Sequence, residues 1–157
     1  MIDEKEQAVD EHGEMIQFSG FYIGDTLCGV DINLIQEISD NLTITKVPLA
    51  PDYVLGIMNL RGQIVTIIDQ SRKLGFEPSG IGKKSRIIIV ASRGEHIGLL
   101  VDRVTEVVTA DKKAIAEPPS NIRGVQGKYF TGVLQTAQKE LLAILDVEAV
   151  MSDEQLN

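Results

Sequence analysis

The side chains in this sequence that could do chemistry are few and scattered. Two histidines are present: His12 lies in an acidic N-terminal stretch and His96 just after a predicted turn. The single cysteine, Cys28, lies in an apolar run with no basic partner nearby in sequence, so we expect a small buried hydrophobe. No HExxH, no CxxC and no glycine-rich phosphate loop occurs. We therefore predict no catalytic residues, no metal site and no cofactor.

Two aspartates, Asp69 and Asp146, occupy equivalent places at the ends of predicted strands. A pair of equivalent carboxylates could serve in general acid–base catalysis. Each aspartate is also followed by a short predicted helix, and aspartate is a favoured residue immediately before a helix. We therefore expect both carboxylates to cap helices, and we predict that the protein is not an enzyme.

A third candidate is the polar segment Asn59-Leu60-Arg61-Gly62 within the apolar stretch GIMNLRGQIVTIID, residues 56–69. Gly62 can adopt a positive φ and close a hairpin turn, so Asn59 and Gly62 are assigned to turn structure. Turn geometry does not explain Arg61. A guanidinium carries planar donors that bind carboxylates or carbonyls through two hydrogen bonds, which favours a partner-binding role.

The chain also repeats itself. GVDINLIQEI (29–38) aligns with GLLVDRVTEV (98–107), and residues 56–69 align with GVLQTAQKELLAILD (132–146). Two matches in the same order favour a duplicated module over a chance similarity between aliphatic strands. The second copy has no arginine where the first has Arg61. This asymmetry supports a role for Arg61 beyond turn structure.

The elements that hold these residues are predicted to be short strands. Val and Ile dominate, aromatic residues are only 4% of the chain, and Gly-containing turns separate the apolar runs. About five short strands in each half cannot bury a core as a flat sheet, so we predict two small barrels. A short helical turn is predicted at INLIQEI (32–38).

The predicted division of the chain follows its glycines, prolines and charges. Proposed segments are an acidic tail at 1–14, a first barrel subdomain at 15–79, a second at 80–151 and a tail at 152–157. Residues 15–151 count as one domain, and we allow for strands exchanged between the two subdomains.

Charge and hydropathy exclude several classes of function. The net charge is −8, and the N-terminal tail carries most of it. Outside that tail the only basic cluster is Lys83, Lys84 and Arg86, so we predict no nucleic-acid binding. The sequence has neither a run of 18 apolar residues nor the features of a signal peptide, so we expect a cytoplasmic protein that does not insert into membranes.

The stretch VLGIMNLRGQIVTIID together with GLLVDRVTEVV resembles the CheW family, the coupling proteins of bacterial chemotaxis. The resemblance covers about residues 15–151. The chain departs from the family at Thr66, where proline is usual, and at Gln70, where leucine is usual. The resemblance implies two five-stranded SH3-like β-barrels packed side by side on a shared core, in an adaptor that has no catalytic activity.

The resemblance also implies two partners. One is the regulatory domain of the histidine kinase CheA, and the other is the cytoplasmic tip of chemoreceptors, so the adaptor would be recruited to membrane receptor arrays. The receptor-binding candidates are Arg61, Ile32, Ile35, Ile38 and Val104, with the aliphatic residues lining a groove between the barrels. Ordinary core packing remains the alternative for these aliphatic residues. Ile44 and Val47, in NLTITKVPLAP (41–51), are the kinase-binding candidates.

Two other functions remain open from the sequence. A CheW-like adaptor could serve a non-flagellar receptor–kinase pathway, because the identity of the partner lies outside this chain. A small-molecule-binding β-barrel is the alternative from another class, and it would require a polar pocket with converging titratable groups, which no motif here predicts.

Overall fold

The computed structural model describes residues 14–76, 80–122 and 125–155; almost all of the acidic stretch predicted as a tail at 1–14 lies outside these ranges. The described residues are mainly β. The strands are β1 (Met15–Ile23), β2 (Thr26–Asp31), β3 (Ile35–Ser39), β4 (Val54–Leu60), β5 (Gln63–Asp69), β6 (Arg86–Ser92), β7 (Glu95–Val101), β8 (Arg103–Asp111), β9 (Asn121–Ile122), β10 (Val125–Gln126), β11 (Phe130–Gln135) and β12 (Leu141–Leu145). The α-helices are α1 (Gln70–Leu74) and α2 (Val147–Gln155), and 3-10 turns cover Ile32–Leu34, Lys112–Ala114 and Gly127–Tyr129.

Ten of these strands form two five-stranded sheets with the same internal plan. Sheet A has the order β11-β12-β2-β1-β8, and sheet B, taken from its other edge, has the order β4-β5-β7-β6-β3. In both sheets a parallel pair joins the two antiparallel parts, β12 with β2 and β5 with β7. The parallel pairs place Ile144 opposite Gly29 and Ile67 opposite Gly98, so the duplication predicted from the sequence is present in the topology.

The two halves of the chain exchange strands. Sheet A combines β1 and β2 with three strands from beyond residue 102, and sheet B combines β6 and β7 with β3, β4 and β5. The chain crosses from one sheet to the other between β2 and β3, and again between β7 and β8. Strand exchange was allowed for in the predicted division, and the boundary at residue 79 stays a prediction. Helix α2 continues to Gln155, past the predicted start of the C-terminal tail at residue 152.

The core has three parts. The largest cluster takes residues from both sheets and from α2, among them Phe21, Ile88 and Val150, and it therefore lies between the sheets. Each sheet has a smaller cluster of its own, around Met58 in sheet B and around Leu142 in sheet A. Burying aliphatic side chains on both sides of each sheet supplies most of the driving force for folding.

Cys28 lies fully buried in the cluster between the sheets. Burial raises the pKa of its thiol to about 12, so the group stays protonated near neutral pH. This is the inert, small hydrophobic residue expected from the sequence.

The mainly β fold with two five-stranded sheets is confirmed, but closure of each sheet into a barrel is not. Strands β8 and β11 remain the edges of sheet A, and β3 and β4 remain the edges of sheet B. Within the described ranges one bridge spans each opening: Thr45 exchanges two hydrogen bonds with Ile57, at 2.8 Å each, and Ala116 exchanges two with Val133, at 2.8 and 2.9 Å.

Candidate functional site

Strand β3 presents two isoleucines on the face that looks toward the shared core. The helical turn predicted at 32–38 is present only at Ile32–Leu34, where Asp31 Oδ1 accepts a hydrogen bond from the Asn33 N–H at 2.9 Å. From Ile35 onward the chain is extended, because strand pairing with β6 competes successfully with helix formation. A β-bulge lets Ile35 pair with Val90 and Ile38 with Ile88, and both of those partners belong to the face of the shared core.

Strand β8 repeats this arrangement in sheet A. Val104 pairs with Phe21 and Val107 pairs with Ser19, with a bulge between the two pairs. The bulge again places two aliphatic side chains, three positions apart in sequence, on one face of an edge strand. The two edge strands therefore carry equivalent apolar pairs, Ile35 with Ile38 and Val104 with Val107.

Burial divides these four residues into an inner pair and an outer pair. Ile35 and Val104 are half-buried and pack against the cluster between the sheets. Ile38 is 41% exposed and Val107 is 52% exposed, a high value for aliphatic side chains on a sheet. The inner pair thus packs in the core, while the outer pair stays exposed to solvent. Ile32 is half-buried within its 3-10 turn.

Val107 was not among the residues singled out from the sequence. The signal was available in the repeat, because Val107 aligns with Ile38. The sequence gives no sign of the β-bulge that places Val107 on the same face as Val104.

The turn before β5 contains Arg61. Arg61 and Gly62 have φ values of +53° and +86°, and positive φ at both positions is characteristic of a type I′ hairpin turn. Asn59 Oδ1 accepts a hydrogen bond from the Gly62 N–H at 2.8 Å, so both residues assigned to turn structure stabilise this hairpin. Asparagine or glycine would occupy the Arg61 position with less strain, so the turn alone does not account for the arginine.

Arg61 forms an internal ion pair that was not foreseen. Its Nη1 atom lies 2.9 Å from Oε1 of Glu37, an atom that is buried and has no well-aligned hydrogen bond within the described residues. The ion pair links the β4–β5 turn to β3 and so spans the opening of sheet B. The Arg61 side chain is 79% exposed, so solvent screening limits the pair to about 1 kcal/mol or less and leaves most of the guanidinium free to bind a partner.

The segment 41–51 has two parts that differ in burial. Ile44 is half-buried and packs on the cluster of sheet B, so it contributes to the core. Val47 is exposed, and the neighbouring Leu49 is fully exposed at a φ of +66°. These residues border a shallow cavity of about 680 Å³ next to Arg72 and Asp52. A leucine held in the left-handed region with no burial is a strained residue of the kind found at binding surfaces.

The remaining polar candidates have structural partners. Asp69 Oδ1 accepts from the Ser71 N–H at 3.0 Å and Asp146 Oδ1 from the Ala149 N–H at 3.1 Å, so the predicted helix caps are confirmed. The Nδ1 atom of His96 lies 2.7 Å from Gln63 Nε2 on an exposed face.

Among the described residues, no group of three or more His, Cys, Asp or Glu side chains could hold a metal ion. No helix in the described part of the chain is long and apolar enough to cross a membrane.

Comparison with known proteins relates this architecture to a family. The model of the CheW-like domain matches residues 17–155. The chain belongs to the CheW family. A probable chemotaxis protein CheW of Rhizobium etli is 32% identical over 133 residues, which span 85% of each chain. The chemotaxis protein CheW of Treponema pallidum is 29% identical over 147 residues, 91% of this chain and 86% of that one.

A solved structure supports the same assignment. The crystal structure of the scaffolding protein TtCheW from Thermoanaerobacter tengcongensis has a TM-score of 0.79 and 32% sequence identity, with 88% of this chain and 89% of that chain covered. The resemblance inferred from the sequence is thereby confirmed, and so is the general function of a chemotaxis adaptor. CheW proteins form an adaptor and scaffold family, which accords with the prediction that the chain is not an enzyme.

Proposed function

We propose that this chain couples chemoreceptors to the histidine kinase CheA by binding alone, in the cytoplasm at membrane receptor arrays. In this proposal each five-stranded sheet, with its bridge across the opening, functions as an SH3-like barrel. The observation that carries the proposal is the pair of exposed aliphatic side chains on equivalent edge strands. Ile38 on β3 and Val107 on β8 lie beside the shared core without being buried in it.

The receptor tip is the partner proposed for these edge strands. In this proposal the half-buried residues Ile32, Ile35 and Val104 form the floor of the binding groove, and the exposed residues Ile38 and Val107 form its margins. An apolar groove with exposed margins suits an amphipathic helix, which inserts side chains at positions i, i+3, i+4 and i+7. Because Ile35 and Val104 also pack against the core, substitutions at the exposed margins should cost less in folding than substitutions at these two residues.

We propose the exposed surface around Val47 and Leu49 as the kinase-facing side. Ile44, the other candidate from the sequence, packs beneath this surface and would support the loop instead of contacting the kinase. Pro48 and Pro51 restrict the loop, which lowers the conformational entropy lost on binding.

Two substitutions separate these surfaces. We expect Ile38→Asp to weaken sedimentation of the protein with receptor fragments at least tenfold while binding to CheA stays within a factor of two. Val47→Asp should show the reverse pattern, because each change places a charge on one of the two apolar surfaces only. Both side chains are exposed, so circular dichroism should report normal folding. Equal loss of both partners in either variant would contradict the assignment of separate surfaces.

Arg61→Gln tests the rim of the groove. We expect receptor binding to fall five- to fiftyfold, since the guanidinium contributes charged donors that glutamine lacks. The melting temperature should change by no more than a few degrees, because the exposed ion pair with Glu37 contributes little. Glu37→Gln is the matched control, since it breaks the same ion pair and keeps the arginine. If both variants lose receptor binding equally, the ion pair and not the free guanidinium is what the receptor requires.

A further inference from the structure

The two sheets differ at their openings. The sheet B gap is the space between β3 and the turn that carries Arg61. It is filled from within by Ile89, which pairs with Glu37 and is fully buried, and from outside by the Arg61–Glu37 ion pair. The sheet A gap is the equivalent space between β8 and the turn at residues 136–140.

Strand pairing fixes which residues are equivalent in the two gaps. Ile89 lies opposite Gly98 on β7, and Gly20 lies opposite Gly29 on β2. Because Gly29 and Gly98 are equivalent, Gly20 occupies in sheet A the place that Ile89 occupies in sheet B. A Cβ at Gly20 would overlap the hydroxyl oxygen of Thr105, so Thr105 on β8 takes part of the space that the isoleucine takes in the other sheet.

Glu106 is the equivalent of Glu37. The turn at 136–140 has Ala137, Gln138 and Lys139 where the first copy has Arg61 and Gly62, and among the described residues no ion pair joins Lys139 to Glu106. Within the described part of the chain, no ion pair or side-chain hydrogen bond of Glu106 is found, and its side chain is exposed. Glu37 therefore pairs with an arginine in sheet B, whereas its equivalent in sheet A, Glu106, has no arginine partner among the described residues.

The sheet A gap is a cavity of about 340 Å³. Its lining includes the apolar residues Leu27, Val107 and Val108, the threonines Thr105, Thr109 and Thr136, and the carboxylates Glu106 and Glu140. Tyr22 donates its hydroxyl to Glu140, with oxygen–oxygen distances of 2.7 and 2.8 Å, and Arg103 stacks on the Tyr22 ring at 4.0 Å. The cavity thus combines room for a long aliphatic stem, hydroxyl acceptors and an uncompensated carboxylate.

We propose that the sheet A gap binds an arginine side chain of a partner protein, which supplies from outside the contact that Arg61 supplies within sheet B. The aliphatic stem of arginine would lie over Leu27 and Val108 while the guanidinium pairs with Glu106. The charge of the gap and the internal example in sheet B both favour arginine over an acidic or purely apolar ligand.

A short peptide that copies the other turn is a direct probe. Acetyl-Leu-Arg-Gly-Gln-amide, titrated into the isotopically labelled full-length protein, should shift the backbone amide resonances of Thr105, Glu106 and Thr109. The peptide with citrulline in place of arginine keeps the shape without the charge and should bind at least fivefold more weakly. Equal binding of the two peptides, or shifts spread over the whole surface, would overturn the proposal.

Two variants of the protein complete the test. Glu106→Gln, nearly isosteric, should abolish the preference for arginine over citrulline, whereas Glu37→Gln in the other sheet should retain it. Ala137→Arg should fill the gap from within and lower the affinity for the arginine peptide at least fivefold. Retention of the preference in Glu106→Gln would overturn the proposal even if Ala137→Arg failed to fold.

Discussion

Replacing Gly56 by alanine should destabilise the protein by about 3 kcal/mol, the largest effect we expect from a single added methyl group. A Cβ at this position would overlap the carbonyl oxygen of Thr45. That oxygen accepts a hydrogen bond from the Ile57 N–H at 2.8 Å, within the bridge that spans the opening of sheet B. The added atom must therefore push the bridge apart, leaving two backbone groups without partners.

Gly62 provides the matched control, because it also has a positive φ but no heavy atom lies within 4 Å of the place a Cβ would take. Gly62→Ala should cost about 1 kcal/mol from backbone strain alone. Urea unfolding of the two variants, fitted with the same dependence of the free energy of unfolding on urea concentration, measures the difference between their stabilities. Equal costs would mean that backbone conformation, and not the close approach of Thr45, determines the need for glycine at position 56.

Replacing Gln70 by leucine should instead raise the free energy of unfolding by about 1 to 2 kcal/mol. Gln70 is the first residue of α1 and is completely buried, and both polar atoms of its side chain lack a hydrogen-bond partner within the described residues. Leucine has a similar volume and a strong helix propensity, and it removes the desolvation penalty of the amide.

Thermal and urea unfolding should show a higher midpoint for Gln70→Leu, with the unfolding slope unchanged. Gln70→Ala is the control, because it removes the same amide but leaves a cavity, so the gain should disappear or reverse. A lower midpoint for Gln70→Leu would contradict the interpretation and would indicate that the amide is hydrogen-bonded in solution. Receptor binding should not change, since Gln70 is completely buried and is not one of the proposed groove residues.

Local patterns in the sequence predicted the hairpins, and the repeat predicted their equivalence. Arg61 at the turn and the capping roles of Asp69 and Asp146 followed from residue types at short range. The sequence could not show that Arg61 reaches Glu37, because the two are joined only when the sheet curves and brings its edges together. It also could not separate Ile35, which packs in the core, from Ile38, which is exposed, since both are isoleucines on the same strand.

The exchange of strands was harder to predict for a related reason. Antiparallel hairpins such as β4–β5 are local, whereas the parallel pairs β12 with β2 and β5 with β7 join distant segments. Strands of local hairpins and strands of distant parallel pairs show the same hydrophobic pattern in the sequence. Nothing in a single strand says which sheet it will join, so only the number of strands per sheet could be predicted.

This exchange has an evolutionary consequence. Since each half of the chain contributes two strands to the sheet completed by the other half, one half alone has no complete sheet. Two separate copies of a single half could complete one another as a symmetric dimer. Joining two such copies in one gene would preserve that arrangement while ending the requirement that both be identical. Each opening could then change independently, one gaining Arg61 opposite Glu37 and the other remaining open beside Glu106.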